Sequence, residues 1–127
     1  MNDCIIGIGS NIDANRNIAE MLGLLGKEVE IVQVSEMVQT KPIGIAAQPD
    51  YTNGAVRIKT VMNLDELSVF LKALEDRMGR DRTQPKFGPR NIDLDILIWN
   101  NTIIDQDFYT RDFLRNSAPE LGFSIND

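Results

Sequence analysis

The chain has 127 residues, the length of one domain with one hydrophobic core, so we expect residues 1–127 to form a single domain. The 19 aspartates and glutamates outnumber the 13 lysines and arginines, and the resulting net charge of −6 argues against general nucleic-acid binding. The absence of histidine excludes histidine-based triads and zinc sites with histidine ligands. The single cysteine excludes an internal disulfide and, with no apolar run long enough to span a membrane, favours a cytoplasmic protein.

Apolar periodicity predicts six elements and one long loop. In chain order they are a strand over 4–9, a helix over 13–25, a strand over 30–39, a loop over 40–50, a strand over 51–60, a helix over 63–78 and a strand over 92–98. Asn11 or Asp13 is expected to cap the first helix. Asn63 with Glu66 should cap the second, and Gly79 should end it.

This order of elements predicts an α+β, ferredoxin-like βαββαβ fold, an antiparallel sheet with both helices on one face. Period-two alternation assigns the strand residues to two faces. The face under the helices should carry Ile6, Ile8, Val56, Ile58 and the isoleucines of the last strand, Ile92, Ile96 and Ile98. The opposite face should carry Gly7, Gly9, Tyr51, Asn53, Asp93 and Asp95.

Two aspartates, Asp93 and Asp95, share one face of the last strand. Paired carboxylates in a half-buried setting repel each other unless a cation lies between them, and Mg²⁺ prefers oxygen ligands together with substrate phosphates. This spacing alone fits a metal-phosphate site and a solvated acidic strand about equally well.

A basic segment leads into this strand and shifts that balance. Guanidinium groups bind phosphate oxygens in a bidentate manner, and cations beside a carboxylate pair suit phosphoryl transfer. A helix end that is rich in cations accounts for the first two of these residues but less readily for the rest. The basic residues are Arg77, Arg80, Arg82, Lys86 and Arg90.

The stretch 88–96, GPRNIDLDI, resembles the signature of the 6-hydroxymethyl-7,8-dihydropterin pyrophosphokinases of the folate pathway. Four further stretches match that family in the same order, and the resemblance extends from residue 3 to about residue 105. These stretches are Gly9–Asn11, Gln39–Gly44, Gln48–Asn53 and Gly79–Arg82.

The resemblance implies transfer of pyrophosphate from ATP to the hydroxymethyl group of a reduced pterin, with two Mg²⁺ ions and release of AMP. Asp93 and Asp95 would bind the metals, and Arg80 and Arg82 would close over the reaction as catalytic residues. The implied nucleotide contacts are Glu75, Arg90, Ile96 and Arg111. The implied pterin contacts are Thr40, Ile43, Tyr51, Asn53 and Phe113. Without the resemblance, Tyr51 is better interpreted as an ordinary strand aromatic, whereas Glu75 fits a solvated helix position about as well as a nucleotide contact.

The chain departs from the family pattern on the nucleotide side. The usual His-Tyr pair has no counterpart, Phe108 stands where arginine is common, Phe87 replaces a tryptophan, and we expect a member shortened at the C-terminus. An active pyrophosphokinase is the leading hypothesis. The alternatives are a catalytically impaired relative that binds a pterin or nucleotide in a regulatory or partner-subunit role, and an interaction module without a small ligand.

Overall fold

The computed structural model describes residues 1–40, 50–79 and 91–104, and these form two helices and six strands. The elements in chain order are β1 (Asn2–Ser10), α1 (Ala14–Leu25), β2 (Glu30–Val34), β3 (Val38–Thr40), β4 (Tyr51–Thr60), α2 (Leu64–Arg77), β5 (Asp93–Trp99) and β6 (Thr102–Ile103). The strands form one sheet in the order β2-β4-β1-β5-β6, with β3 also paired to β4, and every pair is antiparallel. The predicted ferredoxin-like arrangement is therefore confirmed.

One apolar core lies between the helices and one face of the sheet. It includes Cys4, Ile6, Ile8, Ile18, Met21, Leu25, Val56, Ile58, Leu67, Leu71, Leu74, Ile92 and Leu94. Both helices contribute to this single cluster, so both pack on the same face, as alternation and helical periodicity predicted. Within the described residues, neither helix is long and apolar enough to cross a membrane.

The free thiol of Cys4 is buried in this core beside Asp3. Burial, and secondarily the negative charge of Asp3, raise the pKa of the Cys4 thiol to about 12. Cys4 is therefore a small apolar core residue, as its position in the strand pattern predicted.

The second helix begins and ends as the sequence predicted. The Asn63 side chain accepts a hydrogen bond from the backbone N–H of Glu66 at 2.8 Å, and the Glu66 carboxylate accepts one from the backbone N–H of Asn63 at 3.0 Å. Gly79 has a φ of 92°, a left-handed conformation that ends α2. At α1, Asp13 occupies the N-cap position, but its carboxylate makes no capping hydrogen bond and instead contacts Arg16 at 3.1 Å.

The single strand predicted over 30–39 is wrong, because the chain forms two strands separated at residues 35–37. Val34 is opposite Val56 and Val38 is opposite Asn53, so one extra residue is accommodated between β2 and β3. The Ser35 hydroxyl accepts a hydrogen bond from the backbone N–H of Ala55 at 2.9 Å, replacing a strand–strand bond at the break.

A second irregularity overturns the predicted face of Ile98. Ile5 pairs with Ile98 while Ile6 pairs with Ile96, so Leu97 is an extra residue in β5. This bulge places Ile98 with Ile5 on the face away from the helices, whereas Ile92 and Ile96 lie in or against the core as predicted. Period-two alternation fails at a bulge because the strand gains one residue without changing its direction.

The sequence analysis did not predict β6. Asn100 and Asn101 have φ values of 47° and 69°, the left-handed turn that joins β5 to β6. Two consecutive asparagines after an apolar strand tolerate this conformation better than most residue pairs, and they are the sequence signal for the hairpin.

Candidate active site

Four of the side chains predicted from the sequence, those of Tyr51, Asn53, Asp93 and Asp95, lie on the sheet face away from the helices, which we call the site face. Gly9 of β1 lies opposite Asn53 of β4 on one side and Asp93 of β5 on the other. Val38 of β3 continues the same row, because it pairs with Asn53. Three strands thus bring one amide, one carboxylate and one glycine side by side.

These side chains lie close to the position that a Cβ atom would take at residue 9. A Cβ atom at position 9 would lie 3.2 Å from Oδ1 of Asn53, 3.8 Å from Cδ1 of Tyr51 and 3.9 Å from Cβ of Asp93. Only glycine leaves the space between these three side chains open, because any side chain would enter it. The predicted face assignment of Gly9, Tyr51, Asn53 and Asp93 is confirmed.

The two aspartates differ in exposure. Asp93 is half-buried and lies beside Gly9, whereas Asp95 is exposed and lies opposite Gly7 in the next row. They share the site face, so the pair is neither separated by the sheet nor enclosed in the core. Across the described ranges, no group of three or more acidic, cysteine or histidine residues could hold a metal ion.

This donor set fits a magnesium ion that completes its coordination with groups from outside the protein. Mg²⁺ needs six oxygen ligands and usually takes only one or two carboxylates from the protein, with water and substrate phosphates supplying the others. A single pair such as Asp93 and Asp95 on an accessible face suits this pattern better than a closed structural site.

Gly7 has a different role from the one predicted. Alternation placed both glycines of β1 on the site face as open positions, but a Cβ atom at Gly7 would lie 3.2 Å from Cδ1 of Leu97. The bulge in β5 thus puts the Leu97 side chain over Gly7. Of these two glycines, only Gly9 therefore leaves open space in the site.

Glu75 is not a solvated helix residue, so that reading of the sequence is wrong. Its side chain is only 5% exposed. Its Oε2 atom accepts a hydrogen bond from the backbone N–H of Leu94 at 2.9 Å. Leu94 is the residue between the two aspartates. The carboxylate therefore joins α2 to the strand that carries Asp93 and Asp95.

Two polar residues that the sequence analysis gave no role support the same region. The fully buried Ser10 hydroxyl donates to the backbone carbonyl of Asn91 at 2.6 Å. The Asn91 amide donates to the carbonyls of Met78 at 3.1 Å and Gly79 at 3.4 Å. Ser10 and Asn91 both lie in stretches that match the family signature, and this match was the sequence signal that could have identified them.

Several predicted site residues fall outside the described part of the chain. Thr40 ends β3 opposite Tyr51, and its side chain is not described. Ile96, in contrast, is described, and its side chain packs against the core on the face opposite the aspartates. The predicted residues outside the described ranges are Ile43, Arg80, Arg82, Arg90, Arg111 and Phe113, and the aromatics Phe87 and Phe108 also lie there.

Comparison with known proteins identifies the family of this chain. The family model described as 7,8-dihydro-6-hydroxymethylpterin-pyrophosphokinase matches residues 5–121. The chain is 36% identical over 107 residues to the 2-amino-4-hydroxy-6-hydroxymethyldihydropteridine pyrophosphokinase of Bacillus subtilis, covering 82% of this chain and 64% of that protein. It is 32% identical over 110 residues to the protein of the same name from Haemophilus influenzae, covering 83% of this chain and 67% of that one.

A longer relative is matched over only part of its length. The mitochondrial folate synthesis bifunctional protein of Pisum sativum is 36% identical over 110 residues, which cover 85% of this chain and 21% of the pea protein. The chain thus spans about two thirds of the B. subtilis protein and about a fifth of the pea protein. The match to the family model covers most of the chain, and the chain therefore belongs to the 7,8-dihydro-6-hydroxymethylpterin-pyrophosphokinase family.

Proposed function

We propose that this protein transfers pyrophosphate from ATP to 6-hydroxymethyl-7,8-dihydropterin in folate biosynthesis. The hydroxymethyl oxygen attacks the β-phosphorus of ATP, a new O–P bond forms, and the bond between the β-phosphorus and the oxygen bridging to the α-phosphate breaks. The pterin pyrophosphate and AMP are the products, and the hydroxyl proton is released. Family membership and the arrangement of the site face both support this reaction.

The observation that carries the proposal is the row formed by Asn53, Gly9 and Asp93. A pyrophosphokinase must hold a flat acceptor and a metal-bound phosphate chain side by side, so that the attacking oxygen approaches the phosphorus in line. The row supplies an amide on one side and a carboxylate on the other, with an open glycine between them. A site for the pterin and a site for the phosphates are thus adjacent.

The pterin would lie on the Asn53 and Tyr51 side. A pterin is planar, and its edge alternates hydrogen-bond donors and acceptors, so an amide that offers both kinds of group is a suitable partner. Asn53 is only 7% exposed, and this burial restricts its amide to few orientations. The Tyr51 ring, close to Gly9, provides an aromatic surface for stacking.

The phosphates would lie on the Asp93 and Asp95 side. These two carboxylates would hold Mg²⁺, which when bound neutralises phosphate charge and makes the β-phosphorus more electrophilic. The half-buried Asp93 lies closer to the acceptor, and the exposed Asp95 lies one row further along β5. This order suits a phosphate chain that runs along β5 away from the pterin.

Arginines are proposed to complete the nucleotide side. Arg80, Arg82, Arg90 and Arg111 would stabilise the negative charge that develops on the bridging oxygen as it leaves with AMP. The Ile96 side chain packs against the core, so a nucleotide contact by this residue would use its backbone groups.

The test is AMP formation by the purified protein with Mg²⁺, ATP and 6-hydroxymethyl-7,8-dihydropterin. We expect Asp95→Ala to lower turnover by about 1000-fold or more, because several kcal/mol of charge stabilisation are lost. Pterin affinity, measured by calorimetry, should be unchanged. Glu30→Ala removes an exposed carboxylate from β2 and serves as the matched control, with full activity expected.

Two outcomes would contradict the proposal. Full activity in Asp95→Ala would contradict the metal role of the pair, and absence of AMP formation by the unaltered chain would contradict the pyrophosphokinase function, whether or not the pterin binds. Tight pterin binding without AMP would favour the catalytically impaired relative, a hypothesis that arises because the chain has no histidine to form the usual nucleotide contact.

A further inference from the structure

Two side chains connect the end of α2 to the start of β5 on either side of Asp93. Glu75 accepts the backbone N–H of Leu94 at 2.9 Å, and the Asn91 amide donates to the Met78 carbonyl at 3.1 Å. We call these two interactions the α2–β5 clamp. One holds Leu94, the residue after Asp93, and the other holds Asn91, two residues before Asp93 and just before β5 begins, so this aspartate lies between two fixed points.

The Leu94 N–H needs a partner from outside the sheet. Residues 93–99 of β5 pair with β1 on one side, while β6 reaches only Ile98 and Trp99 on the other. Within the described ranges, no strand therefore lies beside the outer edge of β5 at Leu94. A buried backbone N–H without an acceptor is costly, and the Glu75 carboxylate supplies the acceptor.

Asn91, the second residue of the α2–β5 clamp, is held by hydrogen bonds on two sides. Its carbonyl accepts a hydrogen bond from the buried Ser10 hydroxyl at 2.6 Å, while its amide reaches the end of α2. Gly79 makes room for the Asn91 side chain, because a Cβ atom there would lie 2.9 Å from the Asn91 amide nitrogen. Its φ of 92° also favours glycine at this position. Asn91 thus links β1, α2 and β5 just before the aspartates.

From this geometry we infer that Glu75 and Asn91 are positioning residues that fix Asp93 on the site face. In this inference Glu75 acts through the Leu94 backbone, whereas the family resemblance implies a direct contact with the nucleotide. The inference rests on the proposed function for its effect on turnover, whereas its structural part does not. The Asn91 amide also contacts the Gly79 carbonyl at 3.4 Å, so it holds together the two residues on either side of the segment that contains Arg80, Arg82 and Arg90.

A comparison of Glu75→Ala with Glu75→Gln tests the mode of action. Glutamine keeps an oxygen that can accept the Leu94 N–H, but it loses the charge. Glu20→Ala and Glu20→Gln are the matched controls, because Glu20 is an exposed glutamate on α1. Amide hydrogen exchange by NMR reports the clamp directly and needs no substrate.

We expect Glu75→Ala to speed exchange of the Leu94 amide by about ten-fold or more, the factor expected for one charge-assisted hydrogen bond. Exchange at core amides of β1 and β4 should be unchanged, and Glu75→Gln should retain protection. In the AMP assay Glu75→Ala should lower kcat by about 10- to 100-fold, as expected for a misplaced catalytic group, with little change in pterin affinity. Glu75→Gln should stay within about three-fold of the parent, since its bond to Leu94 persists.

Three results would overturn the inference. These are unchanged Leu94 exchange in Glu75→Ala, unchanged kcat in Glu75→Ala, and a Glu75→Gln variant as impaired as Glu75→Ala with a raised KM for ATP. The third would show that the charge contacts the nucleotide. If Glu75→Ala does not fold, Asn91→Ala removes the other interaction of the α2–β5 clamp and should likewise lower kcat without changing pterin affinity, and failure to do so would refute the clamp.

The same data separate this inference from the proposed function. If the unaltered chain forms no AMP, the pyrophosphokinase proposal fails, and the clamp is then judged by hydrogen exchange alone. If AMP forms normally in the unaltered chain and in both Glu75 variants, the proposed function stands and the clamp fails.

Discussion

Substitution of Gly9 by alanine is the sharpest test of the site face, because the structure supplies a matched control two residues away. The new Cβ atom would lie 3.2 Å from Oδ1 of Asn53, a distance tighter than most carbon contacts. The Asn53 amide would then have to move by a few tenths of an ångström. Gly7→Ala places a Cβ atom at the same 3.2 Å distance, but from the Leu97 side chain.

The two substitutions should have similar effects on stability and different effects on binding. Gly9 has no positive φ, so alanine fits its backbone, and the unfolded chain loses entropy worth about 0.4–1 kcal/mol, which offsets the tight contact. We therefore expect the free energy of unfolding to change by less than about 1 kcal/mol in both variants. A displaced Asn53 should lose one hydrogen bond to the pterin, about 0.5–1.5 kcal/mol, which corresponds to about 2- to 13-fold in Kd.

Isothermal titration with 6-hydroxymethyl-7,8-dihydropterin, and urea unfolding of the same samples, would measure both quantities. Gly9→Ala should bind more weakly than the parent, while Gly7→Ala should bind within error of it. Gly9→Val, with two further methyl groups directed at Tyr51 and Asp93, should bind more weakly still. Unchanged affinity in Gly9→Val would show that the pterin does not use the space beside Gly9, and the proposed acceptor site would then be wrong.

Three further predictions concern the framework. The Cys4 thiol has a pKa raised to about 12, so it stays protonated in the folded state above pH 9 while the unfolded chain releases its proton. The contribution of this thiol to the free energy of unfolding is therefore fully present below pH 9, and it falls by about 1.4 kcal/mol per pH unit between pH 9 and 12. The free energy of unfolding of Cys4→Ala, measured with urea, should lack this decrease. Asn63→Ala should lower the free energy of unfolding by about 0.5–2 kcal/mol through loss of the α2 cap, and a smaller thermal shift than Asp65→Ala would contradict that role. Asn101→Gly should raise the thermal midpoint, and Asn101→Ala should lower it, because residue 101 has a φ of 69°.

The sequence predicted most of the fold because the apolar periods are regular where they face the core. Helix α2 combines a clear apolar stripe with the Asn63 and Glu66 cap, and its bounds were predicted closely. The errors arose where one extra residue breaks a period, at residues 35–37 and at Leu97. A bulge is determined by pairing with a distant strand, and alternation within one strand contains no information about it.

The candidate site was predicted in part for a similar reason. Alternation was sufficient to place Tyr51, Asn53 and Asp93 on one face, because no bulge intervenes between these residues and Gly9 in their strands. The burial of Glu75 could not be predicted, since its position on α2 gives no indication that its carboxylate accepts the backbone N–H of Leu94 at the outer edge of β5. Only the resemblance indicated that this residue was functional.

The separation of the two sheet faces suggests how the protein combines stability with an accessible site. The core uses the helix face, whereas the proposed acceptor and metal residues lie on the opposite face, so apolar packing and the proposed ligand binding use different side chains. A movement on the helix face can reach the site face through the strands themselves, because Ile92 and Leu94 of the core flank Asp93, or around an edge of the sheet. Glu75 and Asn91 are placed at such an edge, beside β5, and their hydrogen bonds add to the apolar contact through which a movement of α2 would reach Asp93. A shift of this helix should therefore alter the proposed phosphate side of the site before it alters the proposed pterin side, which lies across β1 on β4.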